Sequence, residues 1–234
     1  MKQLHRSPNY KKHKKNPFLL IIITSAIMVF FGFFGYSLLT AYSSTGDFKD
    51  LNFLGIASNP AVMVDSVGNR NIKAMLLTPN PYSRPQTKLR KIKGVVIHYT
   101  ANPGTDAEAN RNYFENLKTN HSTYSSSHFV IGLKGEIIQC IPLNEISYAS
   151  NNRNGDTISI ECCHPEEDGE FTAETYESLI ALTAWICMEY NLTEEDILRH
   201  HDVSGKSCPL YYVTNQEDWL KLKEDVLIQV SKLQ

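Results

Sequence analysis

The sequence contains neither internal repeats nor heptads, and only five of its 234 residues are cysteines. Without a repeat, the roughly 150 residues after Pro79 are interpreted as one compact domain with a single core. An odd number of cysteines cannot all be paired in disulfides. We therefore interpret Cys140, Cys162, Cys163 and Cys187 as small buried apolar side chains, which is a common environment for cysteine.

Charged residues are missing from positions 16 to 46, and acidic residues from the first 17. As a helix, residues 18–42 would span about 37 Å, enough to cross the hydrocarbon core of a bilayer. Six basic residues precede this stretch, so the positive-inside rule predicts a cytoplasmic tail over residues 1–17. The apolar run is longer than that of most cleavable signal peptides. We predict an uncleaved signal anchor in a cell membrane, with the rest of the chain extracytoplasmic.

The chain after the predicted anchor has an excess of acidic residues. There, 17 basic residues face 25 acidic ones, a net charge of about −8 that argues against a nucleic-acid partner. Residues 43–77 include breaker-rich segments and are predicted to form a stalk. The remaining residues, 78–234, are predicted to form the folded domain.

Hydrophobic periodicity predicts alternating strands and helices in this domain. We expect strands near residues 95–99, 128–133, 136–141, 157–163 and 197–201. Capping boxes at Thr105 and Thr214 each predict the start of a helix, and a helical stripe predicts a central helix from about Thr172 to Tyr190. The predicted fold class is α/β: a single domain with a mixed central β-sheet flanked by helices, preceded by an N-terminal transmembrane helix.

A possible metal-binding pair occurs between positions 200 and 208, where His200 precedes Cys208 by eight residues. This spacing suits one loop folded around one metal ion. A zinc site that performs chemistry usually has three protein ligands and leaves the fourth position to water. His98, at the end of a Val/Ile-rich predicted strand, is the candidate third ligand. The spacing alone leaves the choice between His200 and His201 open.

Four segments of the sequence resemble the zinc-dependent N-acetylmuramoyl-L-alanine amidases, which are related to phage endolysin amidases and peptidoglycan recognition proteins. They occur in the family's order and are Val96 to Asn102, Ser127 to Gly132, Ile158 to Glu161, and His200 to Pro209. The resemblance implies that zinc is bound by His98, His200 and Cys208, with Glu161 and Lys206 beside the metal-bound water. It favours His200 over His201 through the family's His-x-Asp pattern.

The chemistry of amide hydrolysis suggests roles for the other residues. Zinc lowers the pKa of a bound water to about 7, and a carboxylate must then move protons. Glu161 points away from the apolar face of its predicted strand and is suited to this role. Lys206 could stabilise a developing oxyanion, and Asp202 could orient a ligand histidine. Some family members have a tyrosine where this chain has Ser127, a difference that leaves Glu161 as the proton-transfer group.

Two further residues are expected near the cleft. His128 is a possible cleft residue, although it is not predicted as a metal ligand. Cys163 would share a strand face with Glu161 and could line the cleft.

The function implied by the resemblance is zinc-dependent hydrolysis of the amide between N-acetylmuramic acid and L-alanine in bacterial peptidoglycan. One alternative is a receptor that binds muropeptides without cleaving them, which loss of the thiolate ligand would favour, but Cys208 is present. Another is a zinc peptidase that acts on the peptide stem. The oligomeric state stays open.

Overall fold

The computed structural model describes residues 63–234 of the chain. The predicted basic tail at residues 1–17, the predicted anchor at residues 18–42 and most of the predicted stalk lie outside this part. Among residues 63–234, no helix has the length and apolar character needed to cross a membrane.

A seven-stranded mixed sheet forms the centre of the fold, with the strand order β1-β2-β5-β4-β6-β3-β7. The strands are β1 (Ser66–Val67), β2 (Arg70–Ala74), β3 (Val95–Tyr99), β4 (Phe129–Ile131), β5 (Ile137–Gln139), β6 (Ile158–Cys162) and β7 (Ile197–Arg199). The β1–β2 and β4–β5 pairs are antiparallel, and the other pairs are parallel. The carboxyl ends of β6, β3 and β7 therefore meet at one edge of the sheet.

Helices cover both faces of this sheet. They are α1 (Ala107–Asn120), α2 (Ala173–Tyr190), α3 (His200–Ser204), α4 (Leu210–Thr214) and α5 (Gln216–Leu233). One apolar cluster joins the sheet to α2 and α5 and includes Ile97, Ile160, Leu179 and Leu222. A second cluster on the other face includes Phe114 of α1 and Val130. Burial of these side chains from water is the main force that holds the layers together.

The predicted mixed sheet flanked by helices is confirmed for the described residues. Helix α2 begins where its sequence predicts, because the Thr172 side chain accepts a hydrogen bond from the Thr175 amide. Strand β6 alternates as expected, with Ile158 and Ile160 in the apolar cluster below α2. Gly135 adopts a φ of 76° in the hairpin between β4 and β5, a conformation that favours glycine.

The two helices predicted from capping boxes are present, but each predicted capping residue was wrong by one position. At α1 the capping residue is Asp106, whose Oδ1 accepts from the Ala109 amide at 2.7 Å. The hydroxyl of Thr105 instead donates to the Asn102 carbonyl. Thr214 does not cap α5, because it ends α4 and donates its hydroxyl to carbonyls of that helix.

Two further segments differ from their sequence-based assignments. Strands β1 and β2 lie within the segment predicted as a stalk. In β2 only Ile72 is buried, so the segment has no apolar alternation from which to predict a strand. The predicted strand at residues 197–201 ends at Arg199, and α3 begins there because Asp202 accepts a hydrogen bond from the Arg199 amide.

Candidate active site

Three potential metal ligands converge at the carboxyl edge of the sheet. One donor atom each from His98, His200 and Cys208 lies within 4.8 Å of the other two, and all three residues are buried. His98 lies near the end of β3, whereas His200 directly follows β7, the neighbour of β3. The Nδ1 atom of His98 is 3.8 Å from the Cys208 Sγ. Two imidazoles and a thiol form a donor set that suits zinc.

His201 lies outside this cluster. Its Nδ1 is 2.9 Å from the carbonyl oxygen of Lys206, so it contacts the backbone of the loop that connects His200 to Cys208. The structure therefore brings together the three residues that the sequence analysis selected.

Burial and nearby positive charge act on the protonation of the cluster. Burial lowers the pKa of His98 well below its ordinary value, and His200 and Lys206 lower it further. Burial and Lys206 also lower the pKa of His200. Burial raises the pKa of the Cys208 thiol to about 12, and Glu161 acts in the same direction. The histidines are thus neutral and ready to coordinate a cation, while the thiol needs that cation to lose its proton.

Each histidine of the cluster also contacts a side chain from one loop. Ser150 Oγ is 3.4 Å from His98 Nε2, and Asn151 Oδ1 is 2.6 Å from His200 Nε2. Asn151 has a φ of 52°, which asparagine tolerates better than most residues. The Asn154 Oδ1 accepts from the amides of Ala149 and Ser150 and so fixes the loop. Such contacts orient imidazoles around a metal ion.

The sequence analysis missed Ser150 and Asn151. Both belong to a Ser- and Asn-rich stretch whose composition indicates only a turn. The expected contact between Asp202 and a ligand histidine was wrong. The Asp202 carboxylate instead pairs with Arg199, whose Nη2 donates to Oδ1 at 2.7 Å.

Glu161 lies opposite His98 in the register of the parallel β3–β6 pair. Its Oε2 is buried and has no hydrogen-bond partner. Burial raises the pKa of this carboxyl to about 8. A buried carboxyl oxygen without a partner is costly for stability, and such groups concentrate at functional sites.

Lys206 is exposed on the loop between His200 and Cys208 and lines the same cleft as Glu161. The cleft has a volume of about 590 Å³ and also includes His98, His200 and Cys208 in its lining. Four tyrosines also line it, namely Tyr99 at the end of β3 and Tyr113, Tyr124 and Tyr148. The cluster is therefore accessible from solvent through a cavity large enough for an extended ligand.

Two residues expected near the cleft lie elsewhere. His128 is fully buried, where its Nε2 donates to the Glu145 carbonyl and its Nδ1 accepts from the Ser159 amide. Cys163 is buried in the apolar cluster that includes α1, with its Sγ 3.5 Å from Asn110 Nδ2. The expectation that either residue lines the cleft was wrong.

The fold and the cleft together define an α/β domain with a candidate hydrolytic metal site. Residues 88–210 match the family model described as N-acetylmuramoyl-L-alanine amidase. The chain belongs to this family.

Curated proteins and solved structures agree with this assignment. The chain is 34% identical over 173 residues to the N-acetylmuramoyl-L-alanine amidase BlyA of Bacillus subtilis (strain 168), covering 65% of this chain and 46% of BlyA. It is also 34% identical over 160 residues to the amidase CwlL of Bacillus licheniformis, covering 63% of this chain and 44% of CwlL. The chain thus spans less than half the length of these relatives.

Among solved structures, a mutant endolysin from Bacillus subtilis aligns with a TM-score of 0.57 at 29% identity. The alignment covers 67% of this chain and 99% of the endolysin chain.

Proposed function

We propose that the chain hydrolyses the amide between N-acetylmuramic acid and L-alanine in peptidoglycan, with zinc held by His98, His200 and Cys208. The observation that carries this proposal is the meeting of these three side chains in a cleft that Glu161 also lines, with its Oε2 buried and without a hydrogen-bond partner. Family membership supports the choice of bond.

The residues present fit a zinc ion. The donor atoms converge within coordination reach of a single cation, and the imidazoles are held neutral. Zinc bound there would supply Lewis-acid chemistry, polarising the scissile carbonyl and making water a nucleophile at neutral pH. Ser150 and Asn151 would keep the imidazoles in the orientation that binding requires.

The protein's own groups would move protons and stabilise charge. Glu161 accepts a proton from the attacking water at its carboxylate and then delivers it to the departing L-alanine nitrogen. Its pKa of about 8 lies near physiological pH, where one carboxyl serves as base and acid in turn. The Lys206 ammonium, on the exposed loop of the cleft, stabilises the oxygen that becomes negative in the tetrahedral intermediate.

The test is product analysis with the full chain. Peptidoglycan is incubated with the protein, with and without a chelator, and new termini are identified by mass spectrometry. We expect free muramoyl lactyl carboxyls paired with new L-alanine amines, and none after chelation. Cleavage within the peptide stem would instead identify a peptidase. Binding without new termini would identify a receptor, and either result would overturn the proposal.

A second part of the proposal concerns location. A helix over residues 18–42 anchors the protein in the bacterial cell membrane and leaves the catalytic domain outside. This proposed anchor is supported by the long uncharged stretch at positions 16 to 46 and by the basic residues that precede position 18. We expect the full chain to stay in the membrane pellet after alkaline extraction and to be digested by protease added to spheroplasts. Recovery in the soluble fraction would contradict the anchor.

A further inference from the structure

The exposed aromatic side chains of the described residues are concentrated at the cleft. Two of the large hydrophobic side chains exposed in the described part of the chain are aromatic. They are Tyr113, 50% exposed, and Tyr124, 61% exposed, and both line the cleft. The others are aliphatic and belong to α5. Exposed aromatic surface at a cavity is typical of ligand-binding sites.

Tyr124 is held in place by other rings. Its ring stacks on Tyr82, with centroids 5.1 Å apart and an interplanar angle of 27°. Tyr82 in turn stacks on His121 at 4.4 Å and 12°. The ring of Tyr148 meets Tyr124 edge-on at 5.6 Å. Tyr124 is therefore pre-positioned and would lose little conformational freedom when it binds a ligand.

The lining of the cleft contains both uncharged and charged side chains. The segment from Ser122 to Ser127 contains hydroxyl groups and no charged side chain, and Thr123, Tyr124 and Ser125 of this segment line the cleft. The charged lining residues are instead Glu161 and Lys206, together with the ionisable ligand cluster.

The two parts of the uncleaved substrate, on either side of the scissile amide, also differ in charge. The muramoyl carboxyl is consumed in the scissile amide, so the sugar side of the substrate is neutral and combines hydroxyls with apolar C–H ring faces. The peptide stem carries free carboxylates. An uncharged aromatic and hydroxyl wall matches the sugar, whereas the Lys206 side matches the peptide.

We propose that the tyrosine wall, defined as Tyr113, Tyr124 and Tyr148, is the subsite for the glycan strand, with Tyr124 stacking on a pyranose ring. This inference rests on the proposed function, because it takes the scissile amide to lie at the ligand cluster. It assigns the saccharide to the tyrosine wall and the carboxylates of the peptide stem to the Lys206 ammonium.

The test compares two substrates with the same peptide stem. One carries a (GlcNAc–MurNAc)₂ glycan and the other only a D-lactyl group in place of the sugar. Steady-state constants are measured for the full chain and for Tyr124→Ala, Tyr124→Phe and Leu220→Ala. Leu220, 53% exposed on α5, is the matched control away from the cleft lining.

We expect Tyr124→Ala to raise KM about two- to tenfold on the glycan substrate, the range for loss of one aromatic stacking contact. Its constants on the lactyl peptide should be unchanged. Tyr124→Phe retains the ring and should behave as the unaltered protein, as should Leu220→Ala. An equal loss on both substrates, or no loss on either, would overturn the inference.

A binding measurement separates this inference from the proposed function. The peptide-free oligosaccharide (GlcNAc–MurNAc)₂ is titrated into the full chain and into Tyr124→Ala, and affinity is measured by calorimetry or by NMR. Weaker binding to the variant, with an unchanged thermal unfolding midpoint, supports the subsite even if neither substrate is hydrolysed. Equal affinity refutes the subsite even if hydrolysis of the proposed amide is observed.

Discussion

Asn151 Oδ1 lies 2.6 Å from His200 Nε2, a contact between residues 49 positions apart. Because an amide oxygen only accepts hydrogen bonds, His200 donates from Nε2, and the lone pair of its Nδ1 is left available. The side chain of Asn151 therefore selects the tautomer in which His200 can act as a ligand through Nδ1. His98 likewise turns its Nδ1 toward Cys208.

Removing the Asn151 amide should weaken zinc binding. We expect Asn151→Gly to lower the zinc affinity by about 10- to 100-fold, the usual effect of losing a partner of a ligand histidine. Glycine tolerates the positive φ at this position, so the free energy of unfolding of the metal-free protein should change little. Affinity is measured by competition with a chromophoric chelator.

Asn151→Asp provides the rescue for this experiment. Aspartate keeps an acceptor at the same place, and zinc affinity should stay near that of the unaltered protein. Asn69→Ala, in the exposed turn between β1 and β2, controls for loss of any asparagine side chain. If Asn151→Gly bound zinc as tightly as these two variants, Asn151 would have no role in positioning His200.

Glu161→Gln should separate metal binding from turnover. The amide cannot transfer the proton, so we expect the rate of peptidoglycan hydrolysis to fall by about 10²- to 10⁴-fold. Zinc content, measured by atomic emission after dialysis, should be unchanged, because Glu161 is outside the ligand set. Glu189→Gln on the exposed side of α2 is the matched control. A Glu161→Gln variant with full activity would remove this residue from the mechanism.

His128 should make stability depend on pH. Burial lowers its pKa to about 4, below the value near 6.5 of an unfolded histidine. As the pH falls from about 6.5 to 4, the unfolded state binds a proton that the folded state does not. Folding stability should therefore decrease over this interval, by about 3 kcal/mol from this group.

The comparison uses His128→Gln, which cannot titrate in this range. Urea unfolding at pH 7 and pH 4.5 gives the free-energy difference for each protein. We expect this difference to be smaller in the variant, although the variant is less stable at pH 7. Equal differences in the two proteins would show that His128 does not contribute to acid destabilisation.

Arg84 and Glu145 form an ion pair, and we expect the loss of one partner alone to lower the free energy of unfolding more than the loss of both. Arg84 donates to both carboxylate oxygens of Glu145, at 2.8 and 2.7 Å, and both side chains are largely buried. Arg84→Met leaves an unpaired buried carboxylate and should lower the free energy of unfolding by about 3–5 kcal/mol. The double variant Arg84→Met, Glu145→Leu should recover much of this loss in urea unfolding. Additive losses would contradict a direct interaction.

The spacing of apolar residues along the sequence predicted the helices and strands that have a regular pattern of buried side chains. The helical spacing of apolar residues from Tyr176 to Tyr190 was sufficient to predict α2, and the alternation around Ile160 predicted β6. Strands β1 and β2 could not be predicted, because a short strand with one buried residue, Ile72, has no periodic pattern. Their pairing depends on β5, which lies far along the chain.

The same distinction applies to the site. The set of His98, His200 and Cys208 was predicted through the resemblance to the amidase family, since their spacing alone left the choice between His200 and His201 open. Their roles as ligands stay predictions. The contacts of Ser150 and Asn151 were not predictable, because the position of their loop depends on contacts with residues far along the chain. Glu145, shortly before this loop, binds Arg84 through its side chain and His128 through its carbonyl.

A group of buried polar side chains between β4 and β6, here called the polar seam, favours one register of these two strands. His128, just before β4, shares hydrogen bonds with Ser159 of β6, whose hydroxyl also meets those of Ser127 and Ser147. A slip of one residue would leave these groups without partners, at a cost of about 1–3 kcal/mol each. Apolar side chains would tolerate the slip far better. Glu161 follows Ser159 by two residues on the same face, so the seam also sets the position of the carboxyl group.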